Sequence, residues 1–287
     1  MKLVNFIEND KVCLGIRTEL GILNVAEAAA AIGKTLPSTI EGVIGGGEKI
    51  LAQLSELIEL EQYMISEENV IYAPCIMNPE KILCVGLNYF SHGEECNVDI
   101  PKYPALFSKF NNTLAAHQQK VKLLPHALKY DYEAELVIVI GKEAVNVSKE
   151  AALSYVFGYM VGNDLSARDL QFLTGQWLLG KTCDGFAPIG PYLVTADEVN
   201  PDNLDISCEV NGEVRQFANT SELIFDCATI ISYISKYMTL KPGDIIFTGT
   251  PGGVILGKAQ KEQQWLKAGD EIKVSIKELG TLVNILI

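Results

Sequence analysis

Asp131-Tyr132-Glu133-Ala134-Glu135-Leu136-Val137-Ile138-Val139-Ile140-Gly141 is the stretch on which the fold turns. Its β-branched run, closed by a glycine, predicts a strand. Side chains on a strand alternate between faces, so Glu133, Glu135, Val137 and Val139 share one face and Ala134, Leu136, Ile138 and Ile140 the other. The two carboxylates then lie roughly 7 Å apart along a segment that is otherwise core. Each raises the other's cost of ionisation. Two readings remain at this point: the strand end emerges into solvent, or a hard divalent cation with oxygen ligands resolves the conflict.

Outward from that strand, the chain of 287 residues is long enough to bury a full core. With 48% hydrophobic and 21% charged residues it has the composition of a globular protein, which excludes disorder and low complexity. A formal net charge of −13 argues against nucleic-acid and anionic-membrane partners. A small anionic substrate needs only a local basic pocket and stays allowed. The cysteines are seven, odd in number and without a Cys-x-x-Cys pair, which fits reduced thiols in the cytoplasm. Met1-Lys2-Leu3 runs into Glu8 and Asp10 without a signal-peptide apolar region, and no apolar run approaches the roughly 20 residues of a bilayer span. The expectation is a cytoplasmic protein.

Leu3–Ile7 and Val12–Ile16 flank a turn and suggest a hairpin. Val25 to Ile32 reads as a helix stopping at Gly33, Gly42 to Gly47 as a glycine-rich loop, and Glu48 to Leu60 as an amphipathic helix. Two prolines, Pro74 and Pro79, mark a boundary between a small N-terminal domain, 1–74, and a main domain, 75–287. In the main domain, Lys81–Gly86 and Pro104–Lys109 read as strands. Ser148 caps a helix through Tyr155, and Phe157–Asp164 is a strand that delivers Asp164 at its end. Ile206–Val214 is a hairpin turning at Asn211-Gly212. Glu222 to Met238 is a helix capped by Thr220 or Ser221, and Glu271–Lys277 pairs with Thr281–Ile287. Strands dominate without regular βαβ alternation, which predicts an α+β fold.

Chemistry-bearing residues punctuate this frame. A helical turn within Leu87–Glu95 would set His92 and Glu95 on one face, where a carboxylate fixes the imidazole tautomer and raises its basicity. Arg168 and Gln171 share a face in the same way, and Lys181 stands alone in the loop Gly180–Phe186. His117 and His126 are read as structural or surface residues. Gly-x-Asn-Tyr-x-x-His-x-x-Glu (86–95), Asp-Tyr-Glu-x-Glu-Leu (131–136) and Gly-Asn-Asp-x-Ser-Ala-Arg-Asp-x-Gln (162–171) occur in order. A Gly-Lys loop (180–181) and Lys-Pro-Gly-Asp-x-Ile-x-Thr-Gly-Thr-Pro-x-Gly-Val (241–254) follow. Over about residues 80–287 this order and spacing closely resemble the fumarylacetoacetate hydrolase family.

The resemblance implies a strand-rich mixed β-sheet, or β-roll, preceded by a small N-terminal α+β domain. It implies that Glu133, Glu135 and Asp164 ligate Mg²⁺ or Mn²⁺, and that His92 and Glu95 form a catalytic dyad on a lid. Lys181, Arg168, Gln171 and Thr250 would line the substrate pocket, with Lys181 also catalytic. The implied partner is a small anionic 2-oxo acid, and the implied assembly a homodimer. The reaction expected first is hydrolase or lyase cleavage of a C–C bond in a 2-oxo or 1,3-dioxo acid through an enolate (acylpyruvate hydrolysis or oxaloacetate decarboxylation). The alternative is isomerisation or tautomerisation of 2-hydroxydienedioate type. Three departures touch the substrate's far end: Leu87 where Arg or Lys is common, Phe110 where proline is common, and a bulkier, more basic Ala115–Leu124.

Overall fold

The computed structural model describes residues 1–97, 99 and 101–287. Among these residues, the principal sheet has eleven strands, and Ala134–Ile140 lies near its centre. That strand pairs antiparallel with Val156–Asn163 on one side and with Ile245–Phe247 on the other. Ile245–Phe247 in turn runs parallel to Ile82–Gly86, beside Ala105–Lys109 at the edge.

The alternation expected from the sequence is present, and both faces are covered. Leu136, Ile138 and Ile140 enter a core shared with Ile206, Cys208, Ile272 and Val274, which belong to a second, five-stranded sheet. Val137 and Val139 enter another core with Val25, Ala28, Ile40 and Val43. Those four residues come from the helices Val25–Ala31 and Ile40–Ser55. The molecule is therefore layered: small sheet, large sheet, N-terminal helices. Burying both faces explains why the strand reads as an unbroken apolar run.

The N-terminal segment joins the same sheet. Lys2–Glu8 pairs with Lys11–Thr18 on one side and with Leu193–Thr195 on the other, and Leu193–Thr195 continues to Val156–Asn163. The hairpin turn at Asn9 and Asp10 takes φ of 50° and 60°, the left-handed pair that matches strand twist. The five-stranded sheet is built on the expected hairpin at Asn211-Gly212 and on Glu271–Ile276 paired with Gly280–Leu286. No helix among the described residues is long and apolar enough to cross a membrane.

Three local expectations are corrected. Gly42 to Gly46 is helix, not loop: Thr39 caps Gly42 N–H, and Ile40, Val43 and Ile44 bury against the sheet. Only Gly47, at φ 59°, breaks it, because burial of that apolar face outweighs the weak helix propensity of glycine. The helix expected from Glu222 spans Cys227–Ser235 and is capped by Asp226, whose Oδ1 accepts from Thr229 N–H. Thr220–Glu222 is a separate 3-10 turn closed by an Asn219/Glu222 capping box. The helix after Ser148 is a single turn, Lys149–Ala152, passing into a 3-10 turn, and the Ser148 side chain does not cap it.

Candidate active site

Strand register builds the acidic floor. Ala134 faces Asn163 across the antiparallel pair, so the next residues outward, Glu133 and Asp164, meet, with Asp164 N–H donating to Glu133 C=O. Glu135 sits two residues along the same face. The three carboxylates each place an oxygen within 4.8 Å of the others, and all are buried, Glu133 the most exposed at 5%. The solvent-exposed reading of Glu133 and Glu135 is thereby excluded.

Around this floor stand three buried cations. Lys181 Nζ lies 2.6 Å from Glu133 Oε2 and 2.9 Å from Asp164 Oδ2. Arg168 Nη2 makes a charge contact of 2.7 Å with Glu133 Oε1, too poorly aligned for a good hydrogen bond. Lys109 pairs with the other oxygen of Asp164 and donates to Leu165 C=O. Lys181 is not in a loop: it ends the helical turn Leu178–Lys181. That turn lies so close to Arg168–Gln171 that a Cβ on Gly180 would stand 2.5 Å from Ala167 O and Gln171 N. Glycine at 180 permits the approach.

The electrostatics separate the carboxylates. Burial disfavours ionisation of Glu133, yet the Lys181 and Arg168 charges outweigh it and hold its pKa below the ordinary range. Glu135 has no ion-pair partner among the described residues, and burial together with Asp164 and Glu133 pushes it well above. Its one strong support is Gly249 N–H, 2.6 Å from Oε2. Burial opposes the charge on Lys181, but Asp164 and Glu133 hold its pKa above normal. A cluster of three buried oxygen donors, one of them costly to ionise, fits a hard divalent cation. Glu133, Glu135 and Asp164 would hold it, and bound there it would supply Lewis acidity to an oxygen of a molecule in the cavity. Counting Asp131 beneath Arg168, four acids face Lys109, Lys181 and Arg168.

His92 and Glu95 face this floor from the turn Phe90–Glu95, with His92 Nδ1 2.8 Å from Glu95 Oε1. Burial lowers the His92 pKa, but contacts with Cys96 and Glu95 and the Glu133 charge raise it to about 9. The turn is pinned from outside: buried Asn88 donates to Phe225 and Thr248 C=O and accepts from Phe225 N–H. Gly252 N–H donates to Ser91 Oγ, and Gly253 N–H to Glu95 Oε2.

The floor and the turn bound a cavity of about 550 Å³, which Arg168, Gln171, Lys181 and Thr250 also line. Gln171 Oε1 accepts from Arg168 Nη1, and Thr250 Oγ1 from Gln216 Nε2. Every expected site residue is thus in or directly beneath one cavity. Of the three departures, only Leu87, at φ 56°, lines it; Phe110 is exposed on another surface. His117 packs edge-on against Tyr72 and accepts from Val283 N–H, and His126 is exposed, both away from the site.

Sequence reasoning missed Lys109, Asp131 and Gln216. Asp131 accepts from Arg168 Nε, Ile255 N–H and Leu256 N–H, tying the floor to the loop above it. Gln216 joins Ala134 N–H to Thr250 and Pro251 C=O. The aspartate that opens Asp-Tyr-Glu-x-Glu-Leu is itself the signal for Asp131; a lone glutamine in a hairpin carries none for Gln216.

A family model described as fumarylacetoacetate (FAA) hydrolase C-terminal matches residues 81–287. The chain is similar to the human protein called oxaloacetate tautomerase FAHD2A, mitochondrial, at 40% identity over 92% of this chain and 83% of that one. It is similar to the crystal structure of a putative HpcE protein from Mycobacterium smegmatis, with a TM-score of 0.86 and 32% identity over 100% of this chain and 99% of that one. A fumarylpyruvate hydrolase from Pseudomonas aeruginosa, solved in complex with Mn²⁺ and pyruvate, matches with a TM-score of 0.67 and 34% identity over 74% of this chain and 91% of that one.

Proposed function

The chain belongs to the fumarylacetoacetate hydrolase family, and from that premise we propose that it is a Mg²⁺- or Mn²⁺-dependent enzyme of small anionic 2-oxo acids, interconverting the keto and enol forms of a 2-oxo dicarboxylate of the oxaloacetate class. The observation that carries this reading is the His92–Glu95 pair facing a carboxylate floor that is braced by buried cations. Lys181 and Arg168 supply positive charge for the substrate's carboxylates, and Gln171 and Thr250 offer neutral polar contacts. Ketonisation needs a proton delivered to C3 and one lost from the 2-hydroxyl. His92, with Glu95 holding its ring in register, enters as the group that passes the proton to C3, while the 2-hydroxyl proton leaves to solvent in the cavity. The reverse reaction uses the same residues in reverse order.

C–C cleavage of an acylpyruvate is the second reading. Tautomerisation needs only proton shuttling, whereas an imidazole backed by a carboxylate also suits water activation, and the Pseudomonas relative is named a hydrolase. A homodimer is the assembly we assign; the exposed apolar side chains of Phe172, Leu173, Leu178 and Leu179, on adjoining turns, support it. The human relative's name places that protein in mitochondria, and for this chain a cytoplasmic location rests on its free, mostly buried thiols.

The deciding experiment follows enol-oxaloacetate, acetylpyruvate and fumarylpyruvate side by side with Mg²⁺, Mn²⁺ and EDTA. The expected result is EDTA-sensitive acceleration of the enol–keto exchange without pyruvate release. Metal-dependent pyruvate release from either acylpyruvate, with no effect on the exchange, would overturn tautomerisation in favour of cleavage.

A further inference from the structure

The turn that carries His92 also carries a third donor, which the proposed chemistry leaves idle. His92, Glu95 and Cys96 occupy positions i, i+3 and i+4, which share one face of a helical turn. A ligand atom from each lies within 4.8 Å of the other two. His92 Nδ1 is 2.8 Å from Glu95 Oε1 and 3.9 Å from Cys96 Sγ. All three residues line the cavity, so the cluster is reachable by a solvated ion. From this donor set we infer that the turn forms a second cation site, specific for a borderline or soft divalent ion such as Zn²⁺, whose occupation switches the dyad off.

Two features of the chemistry carry the inference. Zinc holds imidazole nitrogen and carboxylate oxygen at about 2.0–2.2 Å and thiolate sulfur at about 2.3 Å. A tetrahedral site of those radii separates its ligand atoms by roughly 3.3–3.7 Å, and the spacings of 2.8 and 3.9 Å lie on either side of that window. Small side-chain rotations close the site, while Gly253 N–H already anchors the second oxygen of Glu95. The fourth position faces the cavity and water. The floor of Glu133, Glu135 and Asp164 offers only oxygen, whereas the turn offers nitrogen, sulfur and oxygen. The two sites therefore sort ions by softness.

Ligation has a definite cost for the proposed reaction. The Cys96 thiol and the His92 Nδ1–H each release a proton to solvent, and His92 Nδ1 and Glu95 exchange their mutual hydrogen bond for bonds to the ion. The imidazole then keeps only its Nε2–H, without the Glu95 partner that lets it exchange that proton with substrate. This last step rests on the function proposed above, but the binding itself does not.

The test uses the full chain saturated with Mg²⁺, with Co²⁺ as optical probe and Zn²⁺ as competitor. Only a thiolate ligand gives a sulfur-to-cobalt charge-transfer band. The wild-type protein is expected to show the band, Zn²⁺ to abolish it, and Cys96→Ser to lack it. Zn²⁺ is also expected to inhibit the Mg²⁺-loaded enzyme. Cys96→Ser, compared with its own uninhibited rate, should need at least about 10-fold more Zn²⁺ for half inhibition, the scale of losing a favourable ligand contact. A wild-type protein without the band, or a band unchanged in Cys96→Ser, overturns the site. Inhibition equal in both proteins and relieved by excess Mg²⁺ also overturns it, since Zn²⁺ would then be acting at the carboxylates. If none of the three substrates is turned over, the function fails, while the cobalt band still decides the site.

Discussion

The carboxylate floor and the His92–Glu95 turn lie across one cavity, yet they are held in place by different means. The floor grows out of two paired central strands, and two of its three carboxylates, Glu133 and Asp164, are locked by Lys109, Lys181 and Arg168, all buried. The turn is six residues long, follows a left-handed Leu87 and an Asn88 that anchors only its start, and beyond that rests on a loop through single hydrogen bonds at Ser91 and Glu95. A framework bound on all sides opens only with the whole fold, whereas a short turn on a loop can open by itself. On the proposed function, the Mg²⁺ or Mn²⁺ ion belongs to the rigid side and proton transfer to the adjustable side.

The largest test of that contrast is Glu135→Gln. It removes a floor ligand, and the expected outcome is loss of Mn²⁺ binding, read by electron paramagnetic resonance, together with a rate loss of at least about 10³-fold. Tight Mn²⁺ binding in that variant would break the assignment of the floor. His92→Ala acts on the other side: it should lower kcat by about 10²–10⁴-fold and leave the Mn²⁺ titration unchanged. A coupled loss of ion affinity would show that the two regions do not divide the work.

Gly257→Ala sharpens the comparison further. A Cβ there would stand 2.4 Å from Glu95 Cδ, so the carboxylate must swing away while backbone contacts persist. The expected cost is about 10- to 10²-fold in kcat with little change in melting temperature; a fall in melting temperature with kcat intact would assign Glu95 a structural part only.

The smallest effect lies outside both regions. Burial lowers the His117 pKa to about 4, with Glu67 acting weakly in the opposite direction. Its Nδ1 accepts from Val283 N–H and so must be unprotonated in the fold. The unfolded chain takes up this proton near pH 6.5. Stability should therefore be intact above that pH, decline toward pH 4 and level off below. The loss is on the order of 1 kcal/mol once solvent screening at a part-exposed ring is allowed for. Chemical denaturation of wild type and His117→Gln across that window checks it, and identical profiles would refute it.

Much of this was legible in the sequence because the relevant signals are local. The alternation over Leu136–Ile140, the Asn211-Gly212 turn and the i, i+3 spacing of His92 and Glu95 each depend on a few adjacent residues. What stayed hidden depends on contacts across the chain. Lys109 reads as a lysine ending a strand until that strand is set beside the parallel pair that brings it to Asp164, 55 residues away. The helix through Gly42–Gly46 forms because Ile40, Val43 and Ile44 find the sheet's second face, which no propensity scale records. The helix expected at Glu222 starts late because Asp226, not an earlier hydroxyl, meets Thr229 N–H.

The sheet that runs unbroken from Lys2–Glu8 into Leu193–Thr195 has a consequence for how the chain can be shortened. Cutting it near residue 75 would strip the partner from Leu193–Thr195 and remove Leu3, Val25, Ile40 and Val43 from the core they share with Val137, Val139 and Met160. A bare strand beside an apolar face is a template for other chains to add to. The N-terminal segment thus works as a cover against self-association, whatever it adds to catalysis.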